Sequence, residues 1–142
     1  MILLDTNVIS EALRPAPSQA VVRWLNANQA NAAISSLTIF ELKARAGLLE
    51  AGRRRDTLEN AIARAIRRFG TRVYAFDASA AQAAARLLVL ARAQGLGLHQ
   101  SPTKLADLQI AGVALAYGLE LATRNVGDFQ GLGITLLNPW EV

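Results

Sequence analysis

Met1-Ile2-Leu3-Leu4-Asp5-Thr6-Asn7-Val8-Ile9-Ser10-Glu11 opens the chain and decides its fold class. The apolar run Ile2 to Leu4 leads straight into a carboxylate, which reads as a short buried strand ending in an acid. Thr6 and Asn7 suit a helix start, and the helix is expected to run to Leu13, stopped by Pro15 and Pro17.

The same alternation of strand and helix recurs along the rest of the chain. Ser18 can cap a second helix with Val21, Val22 and Leu25 on its apolar side and Trp24 beside them. Ala32 to Ser35 reads as a strand. A helix through Ile39, Leu42, Ala46 and Leu49 follows, with Gly52 as its expected end. An arginine-rich helix carries Leu58, Ile62, Ala65, Ile66 and Phe69 at helical spacing and closes near Gly70. Arg72 to Phe76 alternates as a third strand. Asp77 or Ser79 then starts an alanine-rich helix to Gly95, Ser79 with Gln82 fitting a capping box. After a Gly/Pro-bounded loop containing His99, Pro102 opens a helix with Leu108, Gly112, Leu115 and Leu119 on one face. Glu120 to Thr123 and Ile134 to Leu137 read as the last strands, separated by a loop holding Asn125, Gly127 and Asp128. This order predicts a single domain over 1–142, an α/β/α sandwich around a mostly parallel sheet of about five strands.

Composition limits the chemistry. The 142 residues are 52% hydrophobic, enough to bury a core, and they include no cysteine and one histidine. That excludes disulfides, a thiolate nucleophile and cysteine- or histidine-rich metal sites, and it disfavours a Ser-His-Asp triad. Carboxylates, hydroxyls, amides and arginine remain. Residues 43–72 carry Lys43 and eight arginines against three acids, while the rest of the chain is slightly acidic. The segment reads either as a solvated helix face or as a polyanion-binding arm beside an acidic pocket. Aromatic residues make up only 6%, so a base-stacking groove is not expected. Met1 leads directly into Ile2–Asp5 with no basic leader, and no apolar run is long enough to span a bilayer. The expectation is a cytoplasmic protein without membrane contact.

Four acids share a position in this plan. Asp5 ends the first strand, Glu41 lies in the first turns of the helix after the second, Asp107 lies early in a late helix, and Asp128 follows the fourth strand. Ligands of open parallel sheets bind beyond the strands' carboxyl ends, where these acids would converge. Gathered carboxylates repel one another unless a cation joins them, and oxygen donors select a hard one, Mg²⁺ or Mn²⁺. Such a site suits phosphodiester cleavage by an activated water, and also a purely structural metal. Each acid has a plainer reading. Asp5 would cap its helix, and Glu41 would join Thr38 in a capping box and pair with Arg45. Asp107 would complement the helix dipole, and Asp128 would be a turn residue.

The opening stretch resembles that of PIN-domain proteins, particularly VapC-type toxins. So do Phe40-Glu41-Leu42, Ala106-Asp107-Leu108-Gln109-Ile110-Ala111 and Ala122-Thr123-Arg124-Asn125-Val126-Gly127-Asp128-Phe129, in the same order and spacing. Asn138-Pro139-Trp140 is similar to the ending of a FitB-like subgroup. The resemblance implies a Mg²⁺- or Mn²⁺-dependent ribonuclease, often dimeric, held inactive by an antitoxin with a ribbon-helix-helix or similar DNA-binding pattern. Asp5, Glu41 and Asp107 match the family's first three acidic metal-site residues. The last acid falls at either the Asn125 or the Asp128 position, which favours Asp128 here, with Asn125 and Thr123 as polar neighbours. Thr6 matches a hydroxyl beside the first acid. Two other classes are weighed: an inactive PIN-like subunit that only binds nucleic acid or protein, and a receiver-like domain with Asp77 as phosphoacceptor.

Overall fold

The computed structural model describes residues 1–97 and 100–142, so His99 lies outside the described residues. Five strands, β1 (Ile2–Leu4), β2 (Ala32–Ser35), β3 (Val73–Tyr74), β4 (Glu120–Ala122) and β5 (Leu136–Leu137), form one sheet in the order β3-β2-β1-β4-β5. All four pairings are parallel. The helices are α1 (Thr6–Ala12), α2 (Gln19–Asn28), α3 (Ser36–Gly47), α4 (Arg53–Phe69), α5 (Ala78–Ala93), α6 (Pro102–Tyr117) and α7 (Val126–Phe129).

Strand periodicity sorts the core into two layers. Leu3, Ala33 and Leu121 join the layer that packs α5 and α6, through Ala80, Leu87, Leu108 and Ile110. Ile2, Leu4, Ala32, Ile34 and Ala122 face the other way onto Val8, Ile9, Val21, Leu42 and Ile62 of α1 to α4. A strand buried on both sides explains why Ile2–Leu4 contains no polar residue. The α/β/α sandwich expected from the sequence is therefore the observed fold.

Helices α5 and α6 approach closely. A Cβ on Gly112 would lie 2.6 Å from the Ala84 Cβ and within 2.9 Å of the Ala84 N and Ala80 O atoms. Backbone cannot yield as a flexible side chain does, so Gly112→Ala is expected to cost ~1–3 kcal/mol in denaturant unfolding. Gly118, at φ 64° and ψ 35°, ends α6 in the left-handed conformation while the Leu119 N–H bonds the Ala114 carbonyl, releasing the chain into β4.

Several local expectations shift. Gly52 precedes α4 rather than ending α3, which stops at Gly47. β3 is confined to Val73–Tyr74, since beyond it the Phe76 N–H turns to the Ser36 hydroxyl, while the Arg72 guanidinium turns back to the carbonyls of Gln29, Arg68 and Phe69 and closes the end of α4. β5 likewise contracts to Leu136–Leu137. Asp77, not Ser79, caps α5 by accepting the Ala80 N–H. The expected loop around Asn125 and Asp128 contains a one-turn helix, α7. Among the described residues no helix is long and apolar enough to cross a membrane.

Candidate active site

β1 sits at the centre of the sheet, with β2 on one side and β4 on the other, so the chain reverses its direction of winding there. Parallel order brings the ends of β1 and β4 side by side, and the Asp5 N–H bonds the Ala122 carbonyl. This is the switch point at which open sheets offer a crevice.

Asp5 is 1% exposed. It stands at the N-cap position of α1, yet its carboxylate makes no capping hydrogen bond. Instead Oδ2 accepts from the Thr123 hydroxyl at 2.8 Å, and Oδ1 is buried without any partner. The Asn125 N–H in turn donates to Thr123 Oγ1 at 3.1 Å, which fixes the direction of the threonine's proton toward Asp5. Burial pushes the Asp5 carboxyl up to about 6, against the pull of the Thr123 hydroxyl and the Thr6 amide.

Asp107 lies one turn inside α6, beyond the first-turn positions where an acid would answer the helix dipole. It is 8% exposed, flanked by buried Leu108, Ile110 and Ala111. Burial, followed by repulsion from Asp5, Glu41 and Asp128, pushes its carboxyl up to about 7, while a hydrogen bond from Asn125 pulls it down. All four acids singled out in the sequence therefore act on one electrostatic environment.

Glu41 projects from the second turn of α3. The capping box with Thr38 does not form, because Ser35 caps the helix by accepting the Thr38 N–H. Thr38 is thereby left inside the helix with a fully buried hydroxyl. Glu41 accepts from the Thr6 hydroxyl at 3.0 Å and pairs with Arg45 at 3.6 Å, so the i,i+4 pair read from the sequence does exist. Asp128 lies half-buried in the first turn of α7, where its charge also suits the helix dipole. Asn125 stands at the N-cap of α7 without a side-chain capping bond.

Among the described residues, no group of three acids is gathered tightly enough to hold an ion by itself. The donor set nevertheless fits a hard cation. It is made only of oxygens, its two most buried members have raised proton affinity, and Asp5 Oδ1 has no other partner. A second buried oxygen without a partner, Asn7 Oδ1, escaped the sequence reading, in which Asn7 figured only as a cap.

Beside the acids, a groove of about 760 Å³ runs between α1, α3 and α4. Leu13, Leu42, Leu58 and Ile62 form its apolar floor, and Arg14, Arg45, Arg53 and Arg54 line it. Arg45 joins groove and acids, donating to Ser10 Oγ at 2.9 Å while pairing with Glu41. The basic face is smaller than the sequence suggests, since Arg55 pairs with Glu59 and Arg72 is committed to backbone carbonyls. Glu11, buried at the end of α1, accepts the Ser18 N–H at 3.0 Å and ties α1 to α2. Asp77 lies apart beside the edge strand, taking the Ala80 N–H and the Tyr117 hydroxyl, which leaves the receiver-like reading without an acidic pocket.

The PIN domain family model matches residues 2–131. Over 143 aligned residues, covering 99% of both chains, the protein is 41% identical to plasmid stability protein StbB of Pseudomonas syringae pv. tomato. It is 34% identical over the same coverage to VapC ribonuclease Y4jK of Sinorhizobium fredii. The crystal structure of FitAcB from Neisseria gonorrhoeae superposes with a TM-score of 0.87 at 35% identity, covering 100% of each chain. With its opening motif, its sheet order and its acids at the β1–β4 switch point, this chain belongs to the PIN-domain family.

Proposed function

We propose that the whole chain, 1–142, acts in the cytoplasm as one PIN domain, the toxin of a type II toxin–antitoxin pair, hydrolysing RNA phosphodiester bonds. The observation that carries the reading is Asp5, a buried carboxylate held by Thr123, with one oxygen free and Asp107 in the same field. Similarity to a protein named VapC ribonuclease supports the nuclease assignment.

Asp5, Glu41 and Asp107, with Asp128, would hold Mg²⁺ or Mn²⁺. When bound, the cation supplies Lewis acidity, making an attacking water more acidic and neutralising charge on the phosphate. The chain's own residues do the rest. Thr123 orients Asp5, and Thr6 and Arg45 orient Glu41. A carboxylate of the set takes the proton from the attacking water. Arg45, Arg53 and Arg54 offer guanidinium groups to the RNA backbone. No nucleophilic side chain is needed, in keeping with a chain that lacks cysteine. An antitoxin would mask the acids with a basic side chain, and the apolar floor of the groove beside them would seat its peptide. Exposed Phe40, Leu48 and Val89 suit a homodimer.

Purified protein is expected to cleave RNA with Mn²⁺ or Mg²⁺ and to stop in excess chelator. Salt-dependent RNA binding without metal-dependent turnover would instead identify an inactive binding subunit. Asp128 is the proposed fourth acid, as the carboxylate of this loop whose charge reaches Asp107, with Asn125 as a polar neighbour. Asp128→Asn is accordingly expected to weaken Mn²⁺ activation by roughly 3- to 30-fold, and the activation constant in a cleavage assay checks this.

A further inference from the structure

The buried hydroxyl of Thr38 is unused by the chemistry above, and it lies against the site. Thr38 is 0% exposed and Thr6 2%. Their Oγ1 atoms are 2.9 Å apart, and Thr6 Oγ1 is also 3.0 Å from Glu41 Oε1. An ionised glutamate only accepts, so Thr6 spends its single proton on Glu41. Thr38 must then donate to Thr6, and the chain of bonds runs one way, Thr38 to Thr6 to Glu41. Bonds in such a chain polarise and strengthen one another when shielded from water.

We infer that Thr38 is a positioning residue. By filling the acceptor side of the Thr6 hydroxyl, it locks the Thr6 rotamer that aims the proton at Glu41, and so holds Glu41 against the mobile pull of the exposed Arg45. With the Arg45–Ser10 bond, this relay links α1 to α3 across the ends of β1 and β2. Its kinetic consequence rests on the ribonuclease reading; its structural consequence does not.

The test therefore has two arms. In metal-free protein, three-bond couplings to the Thr6 methyl carbon are expected to report one χ1 rotamer in wild type and in Thr38→Ser. In Thr38→Val, which keeps the shape but not the hydroxyl, they are expected to report rotamer averaging. In Mn²⁺-dependent RNA cleavage, Thr38→Val should lower kcat by roughly 5- to 20-fold with little change in KM, Thr38→Ser should restore it, and Thr38→Val should add no loss in a Thr6→Val background. An unchanged Thr6 rotamer in Thr38→Val overturns the relay, as does an equal kcat loss with and without the Thr6 hydroxyl. Should wild type fail to cleave RNA with Mn²⁺, the functional reading falls, and the rotamer arm alone upholds or overturns the relay.

Discussion

Asp5→Asn is expected to reduce Mn²⁺-dependent RNA cleavage by at least ~100-fold while the fold survives, since the variant removes a charged ligand and keeps the shape. The amide would still accept from Thr123, so the second layer of the site stays in place. What disappears is the negative charge on an oxygen that has no partner within the protein. Cleavage rate and circular dichroism, measured on the same preparation, separate lost chemistry from lost structure. Wild-type activity in this variant would remove Asp5 from the mechanism.

The second large effect concerns stability and has the opposite sign. Asp107 and Asp5 have carboxyl groups raised from 3.8 to about 7 and about 6. A raised acid binds its proton more tightly in the folded state than in the unfolded chain. Its contribution is therefore most favourable near pH 4 and below, and stability is lost as pH rises from 4 toward 7. At pH 8 without a cation, the folded protein carries the full penalty of buried, mutually repelling charges. Asp107→Asn removes one of them and is expected to stabilise the metal-free protein by ~2–4 kcal/mol at pH 8, with little gain near pH 4. Thermal unfolding in excess chelator at the two pH values reads this out, as a rise in Tm of at least ~4 °C at pH 8 only. Added Mn²⁺ should then raise the Tm of wild type by more than that of the variant, because the cation relieves the same repulsion. A variant less stable than wild type at pH 8 in chelator would show that Asp107 serves the fold rather than a ligand.

These opposed effects, at two acids of one site, mark the trade between stability and activity expected where like charges are held together for chemistry. They also explain which parts of the molecule the sequence made legible. β1 was legible because burial on both faces leaves no room for a polar residue, so Ile2–Leu4 ending at Asp5 admits few other readings. The site was legible as a set of positions, since parallel strands place their following residues at one edge whatever the details of packing. Local detail was harder. Ser35, Ser36 and Thr38 all offer hydroxyls around the start of α3, and Ser35, paired with Tyr74 on β3, is the one that caps it. α7 has four residues, one of them Gly127, too few to show a period. The Thr6–Thr38 contact joins residues far apart in sequence, and neither threonine carries a local sign of it. Arg72 looked like part of a charged surface because nothing in its neighbours reveals the carbonyls it closes over.

The carboxylates at the β1–β4 switch point are proposed to bind a divalent cation together. Calorimetric titration of Mn²⁺ into chelator-treated protein at pH 7.5 tests it without reference to any RNA. Saturable binding with proton release is expected in wild type, none in Asp5→Asn, and weakened binding in Asp107→Asn. Equal Mn²⁺ binding by wild type and Asp5→Asn, or no binding by wild type, would contradict it.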